Sequence, residues 1–164
     1  MVRRLLLACV VVGLLAGAAR PALAQGRLIG GGIGYAFDEH ADFLVLTGLG
    51  WIPVNGPNIT FKPIVVTPRF QVLPGLEMWQ VDLDAVWDIP LAPEINVRPY
   101  MGLGVGLSHS PFQTAPLFNF DAGFRYKKPT WSHQFAFEIH YSAGLDYGNT
   151  MVMNFLVLFP FGKR

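Results

Sequence analysis

Large apolar side chains alternate with small or polar ones along most of this chain, with a period of two residues. The segment 118–127 shows the alternation most clearly. Its even positions are Phe118, Phe120, Ala122, Phe124 and Tyr126, and its odd positions are Asn119, Asp121, Gly123, Arg125 and Lys127. Because successive side chains of a β-strand point to opposite faces of the sheet, this pattern predicts a strand with one apolar face.

The same reasoning predicts eight strands. In chain order they cover residues 28–37, 42–52, 64–72, 79–87, 97–108, 118–127, 134–142 and 150–161. Turn-forming residues separate them, and strands of about ten residues with a dyad repeat are typical of membrane β-barrels. No 3.6-residue period persists after residue 24, so no helix is predicted there. The predicted fold class is all-β: an eight-stranded antiparallel up-and-down transmembrane β-barrel.

The apolar face of these strands is predicted to face lipid, and the polar face to fill the lumen. An eight-stranded barrel has room inside only for side chains, and buried charges need partners. The expected partners are Arg69, Arg98 and Arg125 with Asp82, Asp84, Asp121 and Glu138. A soluble lipocalin-like barrel would reverse the two faces, and it is disfavoured because such an apolar outer face would be far too large for contact with water.

Aromatic residues near the strand ends, and glycines within the strands, fit the same barrel. Aromatic girdles mark the two interfaces of membrane barrels. The candidate girdle residues are Trp51, Trp79, Trp87, Trp131, Tyr126 and Tyr141. The alternating Gly102, Gly104 and Gly106 have no helix after them, so they are interpreted as lumen-facing packing positions and not as a phosphate loop.

The N-terminus has the pattern of a secretory signal. Arg3 and Arg4 precede an apolar stretch at 5–16, and Ala-Leu-Ala at 22–24 forms a small-x-small cleavage site. A transmembrane helix would need about 20 apolar residues, more than this stretch offers. We therefore expect a cleaved signal peptide at 1–24 and a barrel domain at 25–164. Cleavage removes Cys9, the only cysteine, so no disulfide is expected.

These features predict a location in the outer membrane of a Gram-negative bacterium. With both termini in the periplasm, external loops fall near 38–41, 73–76, 108–116 and 143–149, and periplasmic turns near 53–58, 88–96 and 127–131. The external loops are short, which disfavours an adhesin or large-ligand receptor, and eight strands leave no aqueous channel for a porin.

Composition excludes some partners. The net charge is +1 and only 14% of the residues are charged, so no nucleic-acid partner is expected. His40, His109 and His133 are scattered and share no spacing with carboxylates, so neither a metal site nor a cofactor is predicted from them.

One pair of residues suggests chemistry. His140 and Ser142 are two positions apart on one face of the seventh strand, near its external end. A serine hydroxyl becomes a useful nucleophile when a neighbouring imidazole can take its proton. The spacing alone also fits two polar residues at a barrel rim.

A resemblance adds to this pair. Residues 137–145, Phe-Glu-Ile-His-Tyr-Ser-Ala-Gly-Leu, together with Arg98-Pro99-Tyr100 and Phe118-Asn119-Phe120 upstream, resemble the lipid A 3-O-deacylase family over roughly residues 95–161. The resemblance implies an eight-stranded outer-membrane esterase that removes an acyl chain from lipid A of lipopolysaccharide without a cofactor. It further implies that Ser142 is the nucleophile and His140 the base.

The chain departs from that family at two positions. Ala143 stands where the family has an oxyanion-stabilising Asn, and Thr150 lies near the place of the family's orienting acid. Asp146 and Glu138 are the candidate orienting acids in this chain.

Two functions therefore stay open at this stage. One is the lipid A deacylase, with lipopolysaccharide as substrate. The other is a catalytically silent barrel with a structural, lipid-binding or ligand-binding role. Both imply contact with outer-membrane lipids and a monomer or homodimer. Whether His140 and Ser142 face the lumen or the lipid is not decided by the sequence.

Overall fold

The computed structural model describes residues 27–37, 42–54, 64–74, 77–89, 91, 96–144 and 148–161. The predicted signal peptide, His40 and Asp146 lie outside the described residues. No helix in the described part of the chain is long and apolar enough to span a membrane.

Eight strands follow one another along the chain. They are β1 (Leu28–Phe37), β2 (Asp42–Val54), β3 (Ile64–Leu73), β4 (Met78–Asp88), β5 (Val97–His109), β6 (Thr114–Tyr126), β7 (Gln134–Gly144) and β8 (Gly148–Pro160). Each strand pairs antiparallel with the next, and β1 also pairs with β8, from Leu28 opposite Pro160 to Phe37 opposite Met151. The sheet closes into a barrel, which confirms the predicted fold class. We call the end with the β1–β2, β3–β4, β5–β6 and β7–β8 connections the mouth, and the opposite end the base.

The connection between β5 and β6 is shorter than predicted. Instead of a loop at 108–116, a tight turn spans 110–113, and β6 begins at Thr114. The Ser110 amide donates to the Gln113 carbonyl at 2.9 Å, and the Ser110 hydroxyl accepts from the Gln113 amide at 3.3 Å. Pro116, at the end of the predicted loop, lies within the ladder, opposite Leu107.

The two faces of the sheet are arranged as predicted. Large apolar side chains cover the outside, for example Leu103 at 57% and Phe118 at 58% exposure, whereas Asp121 and Glu138 in the lumen are at 0%. One aromatic prediction was wrong. Trp51 points into the lumen, where its ring meets that of Tyr100 at a centroid distance of 4.9 Å, because it shares a face with the buried Leu49.

The lumen is filled in layers. An apolar cluster occupies the base, and a smaller one occupies the mouth. The mouth cluster consists of Ala36, Val45, Leu73 and Val152, with Phe43 and Met78 packed against it. Between these clusters lie charged and polar side chains, most of them fully buried. The barrel thus encloses its polar layer between two apolar ones.

Arg69 is the centre of the polar layer. Its Nη1 and Nη2 atoms lie 2.7 and 3.0 Å from the two carboxylate oxygens of Glu138. Nη2 also lies 3.0 Å from Asp121 Oδ1, and Nε lies 3.6 Å from Asp84 Oδ2. One guanidinium on β3 therefore joins carboxylates from β4, β6 and β7. The other two predicted arginines differ: Arg98 is exposed, and Arg125 pairs with Asp88.

Glycines on β5 make room for the carboxylates. Gly104 and Gly106 lie opposite Asp84 and Asp82 in the β4–β5 ladder. A Cβ atom added at Gly104 would overlap Asp84 Oδ1 and approach the Leu83 carbonyl oxygen to 2.7 Å. The bare backbone of β5 is thus the wall against which these carboxylates pack, consistent with the predicted packing role of the glycines.

Replacing Arg69 by Met is expected to destabilise the barrel by about 3–5 kcal/mol, because it leaves several buried carboxylates without their cation. Unfolding in urea, followed by tryptophan fluorescence in detergent, measures the change. Arg98→Met, at an exposed arginine, is the matched control and should change stability by less than about 0.5 kcal/mol. Equal effects of the two substitutions would contradict a central role for Arg69.

Gly104→Ala is expected to destabilise the barrel by about 1–3 kcal/mol, because the added methyl group overlaps the Asp84 carboxylate and the neighbouring strand. Gly50→Ala is the control, since a Cβ at Gly50 would first meet Pro68 Cγ at 3.3 Å. The same unfolding measurement compares them. Similar stabilities for both variants would show that β5 does not need its bare backbone at Gly104.

Candidate functional site

His140 and Ser142 meet inside the lumen. Both lie on β7 and point inward, with exposures of 0% and 3%. The Ser142 Oγ and His140 Nε2 atoms are 3.0 Å apart, within hydrogen-bonding distance. The pair is near the mouth, since β7 ends at Gly144. The question that the sequence left open, lumen or lipid, is therefore answered in favour of the lumen.

The acid that contacts His140 is Asp121, which the sequence reasoning did not propose for this role. Asp121 lies directly opposite His140 in the β6–β7 ladder. Its Oδ1 atom is 2.7 Å from His140 Nδ1, and its side chain is fully buried. Ser142, His140 and Asp121 thus form a continuous hydrogen-bonded chain in the order of a serine-hydrolase triad.

The candidate acids from the sequence are elsewhere. Glu138 binds Arg69, and it accepts hydrogen bonds from the Tyr100 hydroxyl at 3.0 Å and the Asn154 amide at 3.3 Å. Asp146 lies outside the described residues. Among the described residues, the carboxylate that hydrogen bonds to the His140 ring is that of Asp121.

Gln80 on β4 reaches across the lumen to this pair. Its Nε2 atom donates to Asp82 Oδ1 at 2.8 Å, which fixes the amide with its nitrogen toward the site. The same nitrogen lies 3.0 Å from Ser142 Oγ and 3.2 Å from His140 Nε2. Because an amide nitrogen only donates, it favours an unprotonated His140 Nε2. The ring proton then sits on Nδ1, facing Asp121.

The residues around Ser142 differ from those of the family that the sequence resembles. Ala143 is half-buried and lies next to Ser142 on the opposite face of β7. Thr150 lies opposite Ser142 on β8, and Asn119 lies opposite it on β6. The Asn119 amide donates to Asp82 and Asp84 at 2.9 and 3.1 Å. Among the described residues, the side-chain amide that hydrogen bonds to the serine oxygen is that of Gln80, 3.0 Å away.

One set of described residues has the composition of a metal site. Asp84, Asp121 and His140 each offer a ligand atom, and these atoms lie within 4.8 Å of one another. All three side chains are buried. The sequence predicted no metal site because it considered other histidines. Of these, His109 lies at the mouth and contacts Thr114, whereas His133 lies at the base and stacks on Trp131.

Comparison with known proteins identifies the fold and no family. No protein-family profile matches the sequence, and no curated protein sequence matches it significantly. The similar solved structures include three bacterial proteins. The N-terminal β-barrel domain of Pseudomonas aeruginosa OprF has a TM-score of 0.61 at 19% identity, over 82% of this chain and 96% of that chain. Neisserial surface protein A (NspA) has 0.56 at 13% identity, over 82% and 96%.

The third is the outer membrane enzyme PagL, with a TM-score of 0.54 at 6% identity, over 82% of this chain and 99% of that chain. At these identities the similarity extends to the architecture alone. This chain shares the eight-stranded barrel fold of all three proteins.

Proposed function

We propose that this protein is an outer-membrane serine esterase that removes an acyl chain from lipid A, with Ser142 as nucleophile, His140 as general base and Asp121 as the acid that orients His140. The observation that carries the proposal is the hydrogen-bonded chain of these three side chains, with links of 3.0 and 2.7 Å. Asp121 supplies the carboxylate that the motif in β7 lacks. The choice of lipid A follows the family resemblance of the sequence.

The outer surface supports a lipid environment. Its exposed side chains include Ile33, Leu44, Leu103, Val105 and Phe155, each more than half exposed. In water this surface would exceed the apolar patches that soluble monomers tolerate. In a bilayer it faces acyl chains, and the closed sheet leaves no unpaired strand edge. A membrane ester therefore lies close to the mouth of such a barrel.

The geometry supplies the steps of ester hydrolysis. The Ser142 oxygen attacks the carbonyl carbon of the ester, while its proton passes to His140 Nε2. Asp121 accepts a hydrogen bond from Nδ1 and stabilises the imidazolium that forms. His140 then returns the proton to the alcohol that leaves, and an acyl-enzyme remains. Water, deprotonated by His140, releases the fatty acid and restores Ser142.

Gln80 is positioned to stabilise the charge that develops. Its amide nitrogen lies 3.0 Å from Ser142 Oγ, next to the place where an oxyanion would form. A single side-chain donor at such a position contributes about 10²–10³ in rate. Gln80 therefore takes the part that the Asn after the serine plays in the resembling family, where this chain has Ala143.

A second function is favoured by one specific observation. His140 is fully buried and Ser142 is 3% exposed inside the closed lumen. An ester can reach Ser142 only if the mouth opens. A catalytically silent barrel, in which the same side chains fill the lumen, needs no such opening. The two functions differ in whether Ser142 changes lipid A.

Lipid A from cells that produce this protein is expected to lose the mass of one hydroxyacyl chain. Ser142→Ala should abolish the loss, because no nucleophile remains. Mass spectrometry of extracted lipid A measures it, with Ser132→Ala at an exposed serine of the base as the matched control. An unchanged spectrum with the natural protein, shown to be folded by its heat-modifiable mobility in gels, would establish the silent barrel instead.

The orienting role of Asp121 is tested separately from its role in the ion-pair network. Asp121→Asn is expected to lower the deacylation rate by about 10⁴, because an amide favours the wrong imidazole tautomer. Glu138→Gln disturbs the same Arg69 network but leaves the hydrogen bond to His140 intact. It should therefore retain far more activity, measured by the same lipid A assay at equal amounts of folded protein. Equal losses would mean that both acids act through the network alone.

A further inference from the structure

The polar layer of the lumen carries more negative than positive charge. Its buried carboxylates are Asp82, Asp84, Asp121 and Glu138. Among the described residues of this layer, Arg69 is the guanidinium that compensates them. If His140 is neutral, the four carboxylates and Arg69 give the layer a net charge of −3. If His140 is protonated, the net charge is −2. Unpaired charges are costly to bury, so the folded barrel requires a further source of positive charge at this level.

The geometry points to where that charge would bind. Asp84, Asp121 and His140 each present a ligand atom, all within 4.8 Å of one another. The Oδ2 atoms of both aspartates accept no hydrogen bond from the described residues. The shortest contacts of Arg69 and His140 with Asp121 are both made to its other oxygen, Oδ1. Asp121 Oδ2 lies over the bare backbone of Gly102, where an added Cβ would be 3.2 Å away.

A neutral side chain provides an independent indication. The Asn119 amide nitrogen donates to Asp82 Oδ1 and Asp84 Oδ1, so the amide lies among these carboxylates. Its Oδ1 atom is buried and accepts no hydrogen bond from the described residues. A buried amide oxygen without a donor is unfavourable, so this oxygen is a second sign of unmet polar contacts in the layer.

We propose that the lumen binds one divalent cation through Asp84, Asp121 and His140. A set of two carboxylates and one imidazole suits Zn²⁺ or Mn²⁺ better than Ca²⁺ or Mg²⁺, which prefer oxygen ligands alone. The ion would join β4, β6 and β7 from within and compensate two of the excess charges. The proposal does not rest on the esterase. Because the ion and the triad share Asp121 and His140, the loaded barrel would be the more stable and the less active form.

The test uses the barrel purified from membranes in detergent and treated with EDTA. Its urea midpoint is measured with increasing Zn²⁺ or Mn²⁺, and with Ca²⁺ and Mg²⁺ for comparison. Because the ion binds the folded state, the midpoint should rise with the logarithm of metal concentration. Metal content after gel filtration should reach one ion per chain. Asp84→Asn and His140→Gln should each weaken the effect at least about tenfold.

Two variants serve as controls. Asp88→Asn removes an aspartate that pairs with Arg125 near the base, and it should keep the full metal effect. Ser142→Ala should also keep it, which separates this proposal from the esterase. Asp84→Asn should in addition raise the urea midpoint in EDTA, since it lowers the excess of negative charge in the layer. Should one substitution prevent folding, the other tests the site alone.

Three results would overturn the proposal. The first is a natural barrel whose midpoint no divalent ion raises, which would mean that protonated carboxylates balance the charge. The second is a metal effect that survives both Asp84→Asn and His140→Gln, which would indicate binding elsewhere. The third is an effect confined to Ca²⁺ and Mg²⁺ that His140→Gln leaves intact, which would exclude the imidazole as a ligand.

Discussion

The contact of Arg69 with three carboxylates is the constraint on which the rest of the lumen depends. An eight-stranded barrel has no space for bulk water, so the polar groups inside depend mainly on partners from the wall itself. Arg69, on β3, is the partner of Glu138, Asp121 and Asp84, which come from three other strands. Its position requires the strand pairing to be correct around half the circumference, because a shift of one residue would turn these side chains toward lipid. The ion pairs thus favour one register over its neighbours.

The candidate triad shares Asp121 with this network. Asp121 uses the same Oδ1 atom to contact Arg69 and His140, at 3.0 and 2.7 Å. The guanidinium holds the carboxylate in place, and the carboxylate contacts the imidazole. Gln80 is fixed in turn by Asp82. Each member of the candidate site is therefore held by a neighbour that also stabilises the fold, and the proposed catalysis would make demands on it opposite to those of packing. A packed lumen favours stability, whereas an ester needs space beside Ser142.

The sequence predicted the barrel well and the site in part. A dyad repeat depends only on local order, so the strands, their faces and the lumen position of Asp121 followed from it. The partner of His140 depends on register. The predicted turn at 127–131 is centred on residue 129, and this centre decides which residue of the sixth strand lies opposite His140. The lumen-facing candidates near that position are Leu117, Asn119 and Asp121. In the structure, Tyr126 pairs with Phe135. This pairing moves the centre of the connection toward residue 131 and places Asp121 opposite His140. The contact of Gln80 with the site could not be predicted from the sequence, because Gln80 reaches across the lumen from β4, three strands away from β7.

The burial of Ser142 determines how an ester could reach it. Ser142 is only two residues from the end of β7, and the same end of the lumen holds an apolar cluster that includes Ala36, Val45 and Val152. Apolar contacts of this kind separate at modest cost when an acyl chain can replace them. The charged layer below is held by ion pairs and cannot separate so easily. Under the proposed function, an ester entering at this end would have to displace apolar contacts of the lumen, while the ion pairs keep Asp121 beside His140.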